Sequence, residues 1–112
     1  MRPDVETATD RVAAARARLA RTSEPDRLAD QIEDALSEGY AQALAGDAWV
    51  SAAERHLHEM IGDPTIDLRG RDIRALVREH RDLQRRIVEL RCELESLRRE
   101  HDRMRTGSHA WP

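Results

Sequence analysis

A heptad repeat between Ile73 and Met104 constrains the fold of this chain more than any other feature. Apolar residues recur at its a and d positions for about five heptads, a pattern typical of a long α-helix with a coiled-coil seam. Histidine occupies two a positions, where a polar residue commonly sets register or oligomeric state. The predicted interaction seam consists of Ile73, Leu76, His80, Leu83, Ile87, Leu90, Leu94, Leu97, His101 and Met104.

The composition favours long helices over a thick globular core. The chain has 112 residues, of which 37% are charged and 3% aromatic, and it lacks phenylalanine. Its basic side chains are all arginine, a bias that suggests a bacterial genome rich in G and C.

The single cysteine, Cys92, excludes an intrachain disulfide and is expected to be exposed. No apolar run is long enough to cross a bilayer and no signal peptide is evident, so we expect a cytoplasmic protein.

Residues 1–22 are predicted to form an N-terminal helix or arm. Val5, Val12 and Leu19 recur every seven residues, with Ala8 and Ala15 between them. This apolar stripe is narrow and mostly small, so it buries little surface. We therefore expect the helix either to fray or to dock against the remainder of the chain.

A second helix is predicted from about residue 24 to residue 61. Ser23 can cap its start, and Pro25 suits the first turn, where the missing N–H is harmless. Gly39 lies on the apolar face and allows a neighbour to approach closely. We expect the helix to continue through Gly46-Asp47, although a break there is the alternative. Trp49 is expected to pack.

A third helix is predicted from about residue 71 to residue 106, after a stop at Gly62-Asp63-Pro64. Gly62 suits the left-handed position that ends a helix. Ile66 and Leu68 in the connector could plug the end of a bundle, and Gly107 is expected to cap the third helix. Because a short connector joins helices of similar length, residues 23–106 are predicted to form an antiparallel hairpin. Residues 107–112 are predicted to be a flexible tail that contains Trp111.

Charge favours the same all-α arrangement, a coiled-coil-like hairpin with an additional N-terminal helix. Residues 24–63 carry ten acids and two arginines, a net charge of −8, whereas residues 71–106 carry eleven arginines and eight acids, a net charge of +3. Residues 1–22 have a net charge of +2. The third helix, and with it the first, should therefore pack against the second. In this pairing Leu94 faces the region of Gly39.

The chemistry-bearing side chains form no pattern that indicates catalysis, a cofactor or a metal. We find no nucleophile with a base and no glycine-rich phosphate loop, so we do not expect an enzyme. The densest group of metal-competent residues lacks a known ligand spacing and is interpreted as surface side chains: Glu54, His56, His58 and Glu59. A local arginine cluster could contact phosphates, but acids interleave with it along the helix: Arg78, Arg81, Arg85 and Arg86.

The sequence therefore predicts a small protein-interaction module that binds protein partners. We expect a homodimer, because a two-helix hairpin leaves much of the second helix's apolar face uncovered. One alternative is a transcription regulator of the anti-sigma or adaptor type. Its acidic surface at Asp30, Asp34 and Glu38 would bind a basic protein. A second alternative is nucleic-acid binding through the arginine-rich helix 71–106.

Overall fold

The computed structural model describes residues 2–63 and 70–109, with side chains at 2–63 and 73–105. The chain forms α1 (Val5–Arg21), a short 3₁₀ helix (Pro25–Leu28), α2 (Ala29–Gly62) and α3 (Gly70–His109). The molecule measures 72 × 19 × 19 Å. This arrangement confirms the predicted all-α hairpin with an additional N-terminal helix. The predictions for Ile66, Leu68 and Trp111 lie outside the described residues.

The N-terminal helix docks on the hairpin. Asp4 caps α1 by accepting a hydrogen bond from the Thr7 N–H at 3.1 Å. Hydrogen bonding by Thr7, first through its side chain and second through its N–H, lowers the pKa of Asp4, because it favours the ionised carboxylate. The heptad stripe of α1 is buried, and Val12 and Leu19 are fully enclosed. Of the two predicted outcomes, fraying and docking, the structure therefore shows docking.

The start of α2 differs from the predicted cap. A 3₁₀ turn at Pro25–Leu28 delays the first α-helical residue to Ala29, too far along the chain for Ser23 to cap it. The Thr22 hydroxyl instead accepts a hydrogen bond from the Glu24 N–H at 3.1 Å. The prediction that Ser23 caps α2 was therefore wrong, because the proline turn lies between them.

The ends of α2 and α3 also correct two predictions about glycine. Gly62 lies inside α2 without a positive φ, and the Asp63 N–H bonds to the Met60 carbonyl at 3.3 Å. α3 continues to His109, so Gly107 does not end it. α2 thus ends at Gly62 as expected but without a left-handed residue there, whereas α3 continues past Gly107. At Gly46, in contrast, α2 is continuous as expected.

Two glycines of α2 bring the three helices together. A Cβ placed on Gly39 would lie 2.5 Å from Leu94 Cδ2 of α3 and 3.2 Å from Val12 Cγ2 of α1. One heptad further along, a Cβ on Gly46 would lie 2.9 Å from Ile87 Cδ1 and 3.4 Å from Val5 Cγ2. Side chains of both neighbouring helices thus occupy the space that a larger residue would need.

These contacts fix the direction of each helix. Moving from Val5 to Val12 along α1 corresponds to moving from Gly46 back to Gly39 along α2. α1 therefore runs antiparallel to α2 and parallel to α3. One heptad further, the same step reaches three buried residues: Leu19, Ile32 and His101.

Ion pairs on the surface follow the same register. Arg16 of α1 contacts Glu93 and Glu100 of α3, each at 3.2 Å. Both contacts raise the pKa of Arg16, and Glu100 has the larger effect. Arg86 of α3 contacts Glu6 of α1 at 3.1 Å. Pairs that join α2 to its neighbours include Arg11–Glu38 and Arg91–Asp47. Exposed pairs contribute little stability each, but these favour one alignment over alternatives.

Substitution of Gly39 tests the three-helix contact. Gly39→Ala should lower the free energy of unfolding by roughly 1–3 kcal/mol, because its Cβ overpacks a closed layer. The higher helix propensity of alanine raises the free energy of unfolding by only about 1 kcal/mol. Gly62→Ala is the matched control, since a Cβ there meets nothing within 4 Å. Denaturant unfolding followed by circular dichroism compares the two, and equal stabilisation by both would contradict the close contact at Gly39.

The capping role of Asp4 predicts a pH dependence. Because the folded-state pKa of Asp4 is lowered, its contribution to stability is complete above the unfolded-state pKa. The contribution disappears as the pH falls through the folded-state pKa. Asp4→Ala should therefore be less stable than the wild type at neutral pH and equally stable in strong acid. Urea unfolding across a pH series checks this, with exposed Asp10→Ala as control, and a difference independent of pH would count against the cap.

Candidate protein-interaction site

Most of the predicted seam is occupied within the chain itself. On α3, the middle of the seam is buried against α1 and α2: Leu83, Ile87, Leu90, Leu94, Leu97 and His101. The outer members are partly buried: Ile73, Leu76, His80 and Met104. The seam therefore contributes mainly to the intramolecular core, and its Ile73–His80 end lies beyond the layer that α1 reaches.

An apolar groove lies at that end, between α2 and α3. α1 begins at Val5, level with Gly46, so the hairpin beyond this layer has two helices instead of three. The groove has a volume of about 330 Å³. Its lining comes from the N-terminus, α2 and α3: Arg2, Trp49, Val50, Ala52, Ala53, His56, Leu57, Leu76, Glu79, His80 and Leu83.

Trp49 corrects an expectation of the sequence. It was expected to pack, yet it is 42% exposed and forms part of the groove wall. Val50, the next residue, turns into the core and is 9% exposed. The sequence pattern places Trp49 beside the apolar face, but only the end of α1 at Val5 decides that this face is left open.

His80 has a protein partner in the groove wall. Its Nε2 lies 3.1 Å from Glu54 Oε1, and its side chain is mostly buried. This hydrogen bond links α3 to α2 where α1 is absent. Glu54 belongs to the group at 54–59 that the sequence offered as metal-competent. Within the described part of the chain, no three acidic, histidine or cysteine side chains are grouped to hold a metal ion.

His101 lies deeper in the seam. It is only 6% exposed, and its Nε2 is buried with no hydrogen-bond partner among the residues that the structure describes. Its heptad places it in the layer of Leu19 and Ile32, which offer only apolar side chains. A buried polar atom without a partner destabilises the fold, so His101 is a weak point in a well-packed layer.

The other predicted surfaces are partly used inside the molecule. Asp30 and Asp34 are exposed, whereas Glu38 is paired with Arg11 of α1. In the arginine cluster of α3, Arg85 contacts Asp82 at 2.5 Å and Arg86 contacts Glu6. These internal pairs reduce the charge that each surface presents to a partner. Cys92 is a free, exposed thiol, as predicted.

The fold and the groove together define an elongated all-α bundle with three helices at one end and two at the other. No protein-family model, curated protein or solved structure matches this chain. Within the described residues, no helix is both long and apolar enough to cross a membrane. Its own geometry therefore provides the basis for a functional proposal.

Replacement of His101 tests the cost of the unpaired nitrogen. His101→Leu should raise the free energy of unfolding by roughly 1–3 kcal/mol, because it removes a buried unsatisfied polar atom. His58→Leu, at an exposed site on α2, should change stability by less than about 0.5 kcal/mol. Thermal and denaturant unfolding measure both variants. A loss of stability in His101→Leu would mean that the imidazole makes a contribution that burial alone does not reveal.

Proposed function

We propose that this chain is a small cytoplasmic protein-interaction module without catalysis, which binds an amphipathic helix of a partner protein in the groove. One observation carries the proposal: the apolar channel that α1 fills up to Val5 continues, uncovered, between α2 and α3. Binding of an apolar helix face in such a groove is a recurring mode of protein recognition.

A helix suits the groove because it completes the bundle. The groove extends the line of α1, and the two helices beside it are the same two that hold α1. Along α2 it runs from Trp49 to Leu57, a length of about 12 Å, or two to three helical turns. A partner helix with apolar residues at i, i+3, i+4 and i+7 would face both walls over this length.

The groove also favours one direction for the bound helix. Arg2 lies at the end where α1 begins, so it offers positive charge there. A helix that runs in the same direction as α1 places its C-terminal end, with partial negative charge, near Arg2. We therefore propose a partner helix parallel to α1, with its C-terminus towards Val5.

The acidic surface at Asp30, Asp34 and Glu38 stays a sequence-based prediction for a transcription regulator. The groove supports a binding role better, since Glu38 already has an internal partner in Arg11. Internal pairs also make the arginine-rich face of α3 a less favourable nucleic-acid site, because Arg85 and Arg86 already contact acids of this chain.

Fluorescence of Trp49 tests the groove directly. In a Trp111→Phe background Trp49 is the only tryptophan. The probe is a synthetic helix of about 12 residues with leucine at i, i+3, i+4 and i+7 and polar residues elsewhere. It should shift the Trp49 emission to shorter wavelength in a saturable manner. A peptide of the same composition with scrambled leucines should not.

Two groove variants complete this experiment. Ala53→Glu places a carboxylate in the groove and should abolish the shift, with helicity checked by circular dichroism. Val88→Glu, at an exposed site on α3 outside the groove lining, should bind as the wild type does. Equal binding by the scrambled peptide, or by Ala53→Glu, would refute the groove as a helix-binding site.

A further inference from the structure

The outward face of α2 carries an uncharged strip in a chain that is otherwise dense in charge. Within the described residues of α2, the positions that share this face between Ser37 and Ala52 are exposed and have no charged side chain. Leu44 is 67% exposed, and Tyr40 at its edge is 39% exposed. We call this face the outer strip: Ser37, Ala41, Leu44, Ala45, Ala48 and Ala52.

The acids within the same range point away from the strip. Glu38 turns towards α1 and is paired with Arg11, while Asp47 turns towards α3 and is paired with Arg91. They therefore leave the outer strip apolar. Exposed apolar surface that is continuous along a helix and framed by charge is typical of a protein contact.

Opposite charges lie at the two ends of the outer strip. Asp34 lies one turn before Ser37, and Arg55 lies one turn after Ala52. Arg55 is the only arginine of α2, and α2 has no lysine. At these two positions the surface is complementary to a copy of itself turned end to end.

We propose that two copies of this chain associate through the outer strip, with α2 antiparallel to the partner's α2. The two-fold axis lies between Leu44 and Ala45. This single register places Ala41 opposite the partner's Ala48, Ser37 opposite the partner's Ala52 and Asp34 opposite the partner's Arg55. Symmetry repeats each pair, as an isologous interface requires.

Side-chain size suits this register. Leu44 inserts between the small residues Ala41, Ala45 and Ala48 of the partner, which form a hole for it. The alanines allow the two helix axes to approach closely. Antiparallel helices also place opposite ends of their dipoles side by side. The large residue near the axis and the small residues around it are therefore complementary.

The size of the outer strip predicts a weak dimer. It is about 22 Å long and roughly 10 Å wide, from the rise and diameter of a helix. Two such faces bury less than about 1,200 Å² in total, the range of transient complexes. Association should therefore appear at micromolar or higher concentrations and depend on salt.

One pair in this register is unfavourable and provides a further test. Asp30 comes opposite the partner's Glu59 at the outer ends of the interface, where both side chains are exposed. Their repulsion is screened there, but it limits affinity. Glu59→Arg converts it to attraction and should tighten the dimer.

Sedimentation velocity over a concentration series measures the association. Leu44→Glu should raise the dissociation constant by at least about thirtyfold, because it places two charges near the axis. Val88→Glu is the matched control, with 61% exposure on α3, and should dimerise as the wild type does. Because both sites are exposed, neither change is expected to disturb the fold.

Charge exchange tests the register. Asp34→Arg and Arg55→Asp should each weaken the dimer by roughly fivefold or more. The double variant should recover wild-type affinity, and a mixture of the two single variants should form a heterodimer.

If the chain is a monomer at all concentrations, the proposal is overturned, and the outer strip would then be a contact surface for a different protein. A dimer that Leu44→Glu does not weaken, or charge variants that show no recovery, would also overturn it. The groove experiment is independent, since Leu44, Asp34 and Arg55 do not line the groove.

Discussion

Close approach of three helices at Gly39 and Gly46 is the contact on which the remaining structure depends. Because α2 has no side chain at these positions, Leu94 and Ile87 of α3 reach the surface of α2, and the valines of α1 reach it beside them. The glycines lie one heptad apart, so the contact repeats in phase on all three helices. An interior glycine weakens an isolated helix by about 1 kcal/mol, and here packing offsets that loss.

The ion pairs show why net charge alone did not predict every contact. α1 and α3 both carry net positive charge, yet they pack side by side along much of α1. Arg16 resolves the apparent conflict, because it lies between Glu93 and Glu100, two acids spaced one heptad apart on α3. Local placement of charge, rather than the sum over a helix, decides which faces are compatible.

The short length of α1 divides the molecule into two functional regions. Where α1 is present, the seam of α3 is closed and the outer face of α2 remains apolar. Where α1 is absent, the groove beside Trp49 is open and His80 bonds to Glu54 across it. The two surfaces share Ala52, so binding of a partner helix in the groove and pairing of two copies through the outer strip use otherwise different residues of α2.

The sequence by itself determined the helices, their antiparallel pairing and most of the core. Heptad spacing identified Leu83 to Leu97 as buried, and the contact of Leu94 with Gly39 followed from matching the two helices. These features depend on periodicity, which is local and can be read along the chain. Three local details differ: a proline turn separates Ser23 from α2, α2 ends at Gly62 without a left-handed residue, and α3 continues past Gly107.

Only the tertiary structure decided which apolar positions stay exposed. Trp49 and Leu44 lie on either side of the buried stripe of α2, and the sequence did not show that they stay exposed while Ile32 and Ala43 are buried. The separation arises because α1 covers only part of the hairpin and covers it from one side. His101 is a similar case: its heptad position predicted a place in the seam, but whether its Nε2 finds a partner among the described residues depends on the side chains that two other helices bring to it.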